Sequence, residues 1–358
     1  MGASITRRGL HQRAQRFRNC RSFNELARLL RREPLALLAL ASKPRYRKFE
    51  VPKRNGGWRK IEDPDPTLKA TQRRLNDYLQ AVYHFHRTPA AYGFLTNAKD
   101  DPSPRNILTN AQRHVGNPWM LNVDLKDFFH QVRQPRVRQL FRAPLLDFAD
   151  DEAKVLAALC CYNGRLPMGA PTSPVITNLV CIPLDGDLQD YATDRSWTYT
   201  RYADDLCFSG PEPITDEHLR EITAWIEAYG FKINPQKVRR YGPNDENKEV
   251  TGILVGPEGV SLPAEYLDAL DLAIIKLNEV INAKNATPSG RYTKTPWVTE
   301  LKQSVRGKLE FARHILPYDD ERLIDLEMAH EVAITPPEEY GPLNWLEFGY
   351  TLFKHDLL

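Results

Sequence analysis

The chain contains few of the residues that would place it in an oxidising compartment or in a membrane. Five cysteines occur among 358 residues, none in a Cys-x-x-Cys pair, which argues against a disulfide framework or a structural zinc site. The longest strongly apolar run, residues 35–41, is far shorter than the ~20 residues of a membrane-spanning helix. The basic N-terminus has no apolar run behind it, unlike a signal peptide. We therefore expect a soluble intracellular protein that does not contact a membrane.

Basic and acidic residues are unevenly distributed along the chain. Residues 1–62 contain 17 Lys or Arg and four acids, a formal charge of +13, whereas the remaining residues sum to −10. This arginine-rich start favours binding of a polyanion such as nucleic acid, although a solvated surface helix would have the same composition. The length predicts two or three subdomains.

Hydrophobic periodicity predicts a mixed α+β body followed by helices. Helices are predicted over residues 22–41, with a break at Pro34, over 68–86 and over 174–191. Hairpins are predicted over residues 46–62, 197–209 and 250–262, and a buried strand over 119–123. From residue 263 onward the pattern is mostly helical, with a loop over 286–297.

Asp204 and Asp205 are adjacent acids within a segment of strand-forming residues. Aromatic and β-branched residues flank them on both sides, so the pair is predicted at the tip of a hairpin. Two like charges repel each other, and a divalent cation would remove that repulsion. An ordinary Asp-rich turn is the alternative interpretation.

A third acid, Asp124, follows the apolar strand at residues 119–123. One carboxylate at a strand end and two on a neighbouring hairpin are what a two-magnesium polymerase site requires, because Mg²⁺ prefers hard oxygen ligands. Asp127 lies three residues further on, and we interpret it as structural.

Residues 166–179 lie between these acids and predict a helix start. Gly169 allows a close backbone approach, and Thr172 or Ser173 can cap the helix that begins at Pro174. The free N–H groups of such a helix favour an anionic ligand, although a plain proline-initiated helix has the same pattern.

Taken in this order, the three segments resemble the reverse transcriptases. The strings are Asp-x-x-x-Phe-Phe from residue 124, Leu-Pro-x-Gly-Ala-Pro-Thr-Ser-Pro from residue 166, and Tyr-Ala-Asp-Asp from residue 202. Further similar blocks lie at residues 54–72, 91–94 and 230–237, so the resemblance covers roughly residues 45–315. It implies a right-hand polymerase fold in the α+β class, with an antiparallel palm sheet.

Two short strings are similar to the signatures of bacterial retron reverse transcriptases. One is Asn-Ala-x-x-His, which includes Asn110 and His114, and the other is the tripeptide Val250, Thr251 and Gly252. The family ties both strings to recognition of its own structured noncoding RNA. His114 is alternatively a structural histidine.

The family's functional residues carry over by position in the matching strings. Asp124, Asp204 and Asp205 match the catalytic ligands of two Mg²⁺ ions, with the carbonyl of Leu125 as a further ligand. The predicted deoxynucleotide-binding residues are Lys53, Arg59, Phe129, Met168 and Gly169. The RNA- or primer-binding residues are Asn110, His114, Val250, Thr251 and Gly252.

Two of these nucleotide-binding positions carry specific expectations. The ring of Phe129 is expected to exclude a ribose 2′-OH. Met168 stands where most relatives have Gln, which is expected to alter nucleotide affinity more than catalysis.

The resemblance also implies a division of the chain into regions. Residues 1–44 are predicted as a basic helical extension, 45–118 as the first part of the fingers, 119–262 as the palm with the primer-grip hairpin, and 263–358 as a helical thumb and C-terminal region.

The activity that the resemblance implies is RNA-directed DNA synthesis in the bacterial cytoplasm. The partners would be a cognate structured noncoding RNA, its single-stranded DNA product joined at a 2′-OH, deoxynucleotides and a separately encoded effector protein of phage defence. Two alternatives are a defence reverse transcriptase outside the retrons, perhaps template-independent, and a non-catalytic RNA-binding scaffold. The Arg-rich segment 7–32 is equally compatible with clamping RNA and with docking a partner protein.

Overall fold

A computed structural model describes residues 5–53, 56–285 and 296–335, without the side chains of residues 282–285. The chain divides into two units, and the boundary falls within the third predicted hairpin. The first unit comprises residues 1–251 and 255–259, and the second comprises residues 252–254 and 260–358. The residues predicted to carry chemistry, apart from Gly252, therefore belong to the first unit.

The described helices include those predicted over residues 22–41, 68–86 and 174–191 and beyond residue 263. They are α1 (Arg7–Arg18), α2 (Phe23–Leu29), α3 (Pro34–Ser42), α4 (Pro66–His84), α5 (Ile107–Gln112), α6 (Gln134–Arg142), α7 (Asp150–Cys160), α8 (Ser173–Thr193), α9 (Asp216–Ala228), α10 (Ala264–Asn285), α11 (Pro296–Ile315) and α12 (Glu321–Ile334). Short 3₁₀ helices occupy Phe128–Gln131 and Pro235–Lys237. None of the helices in the described residues is long and apolar enough to cross a membrane.

The strands confirm the predicted hairpins. They are β1 (Tyr46–Pro52), β2 (Trp58–Pro64), β3 (Trp119–Asp124), β4 (Thr198–Tyr202), β5 (Asp205–Gly210), β6 (Arg239–Tyr241), β7 (Glu249–Val250), β8 (Ile253–Val255) and β9 (Val260–Ser261). Strands β1 and β2 pair antiparallel, and the turn between them includes residues 54 and 55, which lie outside the described residues.

A four-stranded antiparallel sheet in the order β4-β5-β3-β6 forms the centre of the first unit. The two central strands, β3 and β5, are buried. Their almost fully enclosed residues include Met120, Leu121, Val123, Leu206 and Phe208. Strand β3 ends at Asp124 and the antiparallel strand β5 begins at Asp205, so both acids lie at the same end of this strand pair.

Helix α1 is fixed to the first unit by its apolar face. Leu10, Ala14 and Phe17, spaced four and three residues apart, are buried, and the Phe17 ring stacks on Tyr78 of α4 at 5.4 Å between centroids. The next helix, α2, has an N-terminal cap, because the Ser22 hydroxyl accepts a hydrogen bond from the Glu25 amide at 3.3 Å.

The predicted cap of α8 is wrong. Thr172 occupies the N-cap position without a side-chain hydrogen bond to the helix, and the Ser173 hydroxyl donates instead to the carbonyl of Pro167 at 2.7 Å. The serine therefore fastens the preceding loop to the helix.

The close backbone approach predicted at Gly169 occurs within the protein itself. Its φ is +125°, and a Cβ there would lie 2.8 Å from the carbonyl oxygen of Glu62 in β2. The neighbouring Met168 carbonyl accepts a hydrogen bond from the Glu62 amide at 2.7 Å, so the loop and β2 are joined directly.

All five cysteines are buried free thiols, as their spacing indicated. Burial raises the pKa of Cys160 and of Cys181 to about 12, so these thiols stay protonated at neutral pH.

The described part of the second unit beyond residue 263 is helical, which confirms the predicted pattern there. Helices α10, α11 and α12 pack together through buried residues that include Leu270, Leu277 and Leu309. Arg313 pairs with Glu327 between α11 and α12, and Arg322 pairs with Asp268 between α12 and α10. Residues 286–295 of the predicted loop lie outside the described residues.

Candidate active site

Asp124 and Asp205 face each other across the central sheet. The register of β3 and β5 makes them direct antiparallel partners, which places their Cα atoms about 4.5–5.5 Å apart. Asp124 is buried, whereas Asp205 is exposed at the rim. The two carboxylates that the sequence separates by 80 positions therefore lie side by side.

Backbone hydrogen bonds fix Asp204 beside this pair. Its carbonyl accepts a hydrogen bond from the Leu125 amide at 2.9 Å, and the Asp124 carbonyl accepts one from the Asn234 amide at 2.7 Å. The end of β3 is thus bonded on one side to the turn that contains Asp204 and on the other to the segment before the second 3₁₀ helix.

The three acids interact electrostatically. Burial, followed by the charge of Asp124, raises the pKa of Asp204. Although the side chain of Asp205 reaches solvent at the rim, desolvation by the surrounding protein, followed by the charges of Asp204 and Asp124, raises its pKa to about 7. Like charges held together in this way favour binding of a cation, because the cation offsets their repulsion.

Lys237 also belongs to this site, although no role was predicted for it from the sequence. Its Nζ donates a hydrogen bond to Asp124 Oδ2 at 2.7 Å, and this bond raises the pKa of the lysine. The signal was present in the block at residues 230–237, but only the fold brings that block beside β3.

The donor set fits a divalent metal ion, although it is not arranged as a ready cage. Among the described residues no group of three or more His, Cys, Asp or Glu side chains is placed to hold one ion. One Asp124 oxygen is engaged by Lys237. Carboxylates of raised pKa are nevertheless hard oxygen donors that a divalent cation would stabilise in the ionised state. Asp124, Asp204 and Asp205 are the residues that would hold such a cation.

A cavity of about 200 Å³ connects the acids with three of the predicted RNA- or primer-binding residues. Its lining includes Asp124, Asp205, Asn110, Val250 and Thr251. The further lining residues that the sequence did not single out for binding are Asn122, Val123, Leu206, Cys207, Lys237, Arg239 and Glu249. Among the predicted group, His114 does not line this cavity, and Gly252 begins the second unit.

Three polar atoms in this cavity lining are buried without a hydrogen-bond partner among the residues that the structure describes. They are Asn110 Oδ1, Asn122 Oδ1 and Thr251 Oγ1. Thr251 also has a φ of +52°, which is strained for a β-branched residue. Buried unpaired polar atoms and backbone strain are each costly, and both are typical of functional sites.

His114 lies behind the catalytic hairpin. The side chain is fully buried, with Nδ1 2.7 Å from the Ser209 hydroxyl and Nε2 2.7 Å from the Thr200 hydroxyl. It therefore bridges β4 and β5, and any part it has in RNA recognition passes through these strands. Burial lowers its pKa to about 3, so the imidazole is neutral.

The predicted nucleotide-binding residues occupy two places. Lys53 and Arg59 are exposed on the β1–β2 hairpin, and the positive charge of Arg59 lowers the pKa of Asp204, although burial keeps that pKa raised overall. Phe129 is half-buried, with its ring 5.8 Å from that of Phe94 and 5.7 Å from that of Phe128. These aromatic neighbours fix the position of the Phe129 ring. Phe129 lies five residues beyond Asp124 in the sequence.

Residues 51–253 match the protein family described as reverse transcriptase (RNA-dependent DNA polymerase). The matched range contains the three acids, the cavity lining and the predicted nucleotide-binding residues.

Several curated retron reverse transcriptases are similar to the chain. The retron Mx162 enzyme of Myxococcus xanthus is 36% identical over 248 residues, covering 61% of this chain and 49% of the relative. The retron Ec86 enzyme of Escherichia coli is 35% identical over 240 residues, covering 65% of this chain and 70% of the relative. The retron Mx65 enzyme of M. xanthus is 37% identical, covering 59% and 51%. The chain thus spans about half the length of the Myxococcus relatives.

Proposed function

The chain belongs to the reverse transcriptase family and, within it, to the retron reverse transcriptases, and on this premise we propose that it is an RNA-directed DNA polymerase. In this proposal the enzyme copies part of a cognate structured noncoding RNA into single-stranded DNA from deoxynucleotides. The curated relatives support the proposal because their names state the same activity within retrons.

The observation that carries this proposal is the pairing of Asp124 with Asp205, with Asp204 next to them. These carboxylates would hold two Mg²⁺ ions. When bound, the ions would lower the pKa of the attacking hydroxyl and neutralise charge on the triphosphate and the leaving pyrophosphate. Lys237 holds Asp124 in place, and in our proposal its ammonium stays beside the anionic substrate.

The fingers hairpin and the loop at residues 166–169 would form the nucleotide side of the site. Arg59 and Lys53 supply positive charge for the triphosphate, and Arg59 already influences Asp204 electrostatically. Phe129 would lie beneath the sugar and exclude a 2′-OH, whereas Met168 and Gly169 would contact the incoming nucleotide. The hydrogen bond between Met168 and Glu62 supports this grouping, because it joins the loop to β2.

The cavity beside the acids would receive the RNA that primes synthesis. Asn110 and Thr251 offer buried polar atoms that lack protein partners, and these atoms are suited to hydrogen bonds with a nucleotide. We propose that a 2′-OH of the cognate RNA starts the DNA chain there and that a branched RNA–DNA product results. Val250 and Gly252 would shape the backbone around that nucleotide, and His114 would fix the strands behind it.

The wider biological setting follows from membership in the retron group. We propose that the enzyme acts in the bacterial cytoplasm in antiphage defence, with a separately encoded effector protein that the RNA–DNA product controls. The five buried thiols are in keeping with a reducing compartment.

The experiment that tests the polymerase is replacement of the paired acids. Asp204→Asn with Asp205→Asn should abolish DNA synthesis, while the affinity for the cognate RNA changes less than about threefold because the fold and the basic surfaces remain. The matched control is Asp190→Asn, on the exposed part of α8, which should synthesise DNA like the unmodified protein. DNA synthesis that persists in the double variant would contradict the assignment.

A further inference from the structure

A fully buried ion pair lies directly behind the turn that carries the acids. Arg201 on β4 and Asp185 on α8 both have 0% side-chain exposure. Two nitrogens of the guanidinium donate to the two oxygens of Asp185, each at 2.7 Å. The hydroxyls of Thr88 and Tyr199 each donate to Asp185 at 3.1 Å. This bidentate, fully bonded arrangement fixes the plane of the guanidinium.

The remaining nitrogen of Arg201 is directed at the catalytic turn. Its Nη1 donates to the carbonyl of Ala203 at 3.0 Å and to Asn178 Oδ1 at 3.0 Å. Ala203 has a φ of +60°, the left-handed conformation, and immediately precedes Asp204. This conformation is unfavourable for a residue with a Cβ, so the surroundings must hold it.

Other contacts close around the same residue. Asn178 Nδ2 donates to the carbonyl of Gly93 at 2.9 Å, and a Cβ at Gly93 would lie only 2.5 Å from the Ala203 nitrogen. The Tyr92 amide donates to the Arg201 carbonyl at 2.8 Å. The turn is therefore held by α8 through the Arg201 side chain and by residues 92–93 through direct packing.

Stability alone does not account for this pair. Removing two charges from water is costly, and apolar residues of similar volume often replace a buried ion pair without loss of stability. Burial opposes the charged guanidinium, yet the partnership with Asp185 raises the pKa of Arg201, so the guanidinium stays charged. What an apolar pair cannot reproduce is the hydrogen bond to the Ala203 carbonyl.

We propose that Arg201, oriented by Asp185, is a positioning residue that fixes the left-handed turn at Ala203 and so sets how Asp204 and Asp205 present their carboxylates to metal. This role rests on the proposed polymerase function. Arg201 itself touches neither substrate nor metal in this proposal.

The decisive variant removes the charge pair without leaving an unpaired buried charge. Arg201→Met combined with Asp185→Asn keeps a polar partner for both hydroxyls, because the amide oxygen can accept from one of Thr88 and Tyr199 while the amide nitrogen donates to the other, but it loses the bond to Ala203. We expect this variant to fold, with Mn²⁺ binding, followed by electron paramagnetic resonance, weakened about tenfold and DNA synthesis slowed about 10²-fold, because small misplacements of reacting groups have effects of that size. The Mg²⁺ concentration for half-maximal synthesis should rise in parallel.

A second variant and a control separate positioning from stability. Arg201→Lys keeps a positive charge for Asp185 but lacks the planar fork needed to hold Asp185 and Ala203 together, so its metal response should shift in the same direction. The control is Arg195→Met, since Arg195 stacks on Tyr191 and bonds to Glu221. It should retain the unmodified metal response.

The outcomes that would overturn the inference are distinct from failure of the proposed function. A folded Arg201 variant that binds Mn²⁺ and responds to Mg²⁺ like the unmodified protein would overturn it. Failure of both variants to fold would also overturn it, because the pair would then be needed for stability. Lack of DNA synthesis by the unmodified protein would instead contradict the polymerase function, and the Mn²⁺ titration would still decide the role of Arg201.

Discussion

The side chain of Phe129 tests the nucleotide pocket at a single position. Its ring is held by Phe94 and Phe128, and truncation would open space beneath the proposed sugar position. Phe129→Ala should therefore reduce discrimination against ribonucleotides by about tenfold or more while DNA synthesis persists. The measurement is the ratio of kcat/KM for deoxy- and ribonucleotides.

The exposed Phe85 provides the control for this substitution. Phe85→Ala should leave the ratio unchanged. An unaltered ratio in Phe129→Ala would remove this residue from the nucleotide pocket.

His114 gives the stability of the first unit a pH dependence of defined sign. Its pKa is about 3 in the folded protein and about 6.5 in an unfolded chain. Between these two pH values the unfolded state binds the additional proton. The contribution of His114 to the free energy of unfolding is therefore complete above pH 6.5 and is lost as the pH falls toward 3. From pH 6.5 to 4.5 the loss amounts to roughly 2–3 kcal/mol.

The measurement is the midpoint of chemical unfolding as a function of pH. His114→Gln should make the slope of the unfolding free energy against pH less positive over this range, whereas His314→Gln, at an exposed histidine, should leave the slope unchanged. Equal slopes for the unmodified protein and His114→Gln would refute the assignment.

The sequence largely predicts which residues form the candidate site, but it does not predict their burial or their hydrogen-bond partners. The acids at 124, 204 and 205 follow from motif spacing, and the register of β3 and β5 brings two of them together. The burial of His114 and the bond from Lys237 to Asp124 depend on contacts across more than 80 residues, which no local pattern encodes.

The loop at residues 166–169 and strand β2 depend on one another through Gly169. A Cβ there meets a backbone oxygen at 2.8 Å, and the φ of +125° is unfavourable for any other residue. Gly169→Ala should destabilise the first unit by about 1–3 kcal/mol and weaken nucleotide binding. Thermal unfolding and the KM for deoxynucleotides are the measurements.

Gly186 offers a matched glycine within α8. A Cβ there meets nothing within 4 Å, so Gly186→Ala should leave stability unchanged or raise it by up to ~1 kcal/mol. Equal changes in unfolding temperature for Gly169→Ala and Gly186→Ala would show that the close contact between Gly169 and Glu62 does not restrict residue 169 to glycine.

Secondary-structure elements were predicted well where the period was strong and the ends were marked. The helix predicted over residues 68–86 and the paired strands of the hairpin predicted over residues 46–62 are both confirmed. The cap of α8 was predicted wrongly because both candidate hydroxyls suit an N-cap, and the preceding loop captures one of them at Pro167. Tertiary contacts decide such competition, and the sequence does not display them.

Across the molecule, the charge asymmetry predicts where RNA contacts extend beyond the site. Arg16 lines two neighbouring cavities, one with Arg13 and Arg74 and the other with Arg28. Replacing Arg13, Arg16 and Arg28 by Gln should weaken RNA binding and reduce the slope of log affinity against log salt by up to about 2–3, because each lost phosphate contact releases fewer counterions.

The control removes three exposed cations elsewhere, at Arg142, Lys154 and Arg220. Its salt slope should match that of the unmodified protein. If the arginine variant keeps the full slope but loses binding to a protein partner in cells, the N-terminal helices dock a protein instead.

The sequence did not predict the position of the boundary between the two units. The predicted palm ended at residue 262, whereas the boundary between the units falls at residues 251–260. The regions predicted at 1–44, 45–118, 119–262 and 263–358 remain predictions about fingers, palm and thumb.

The antiparallel alignment of β3 with β5 has a consequence for how this chain can change in length. Strand side chains alternate between faces, so one inserted residue within positions 119–124 would swap the faces of every side chain beyond it. A hydrophobic neighbour would then stand opposite Asp205 while a carboxylate entered the apolar interior. An insertion or a deletion is therefore ruinous anywhere in these six consecutive positions, whichever amino acid it adds or removes.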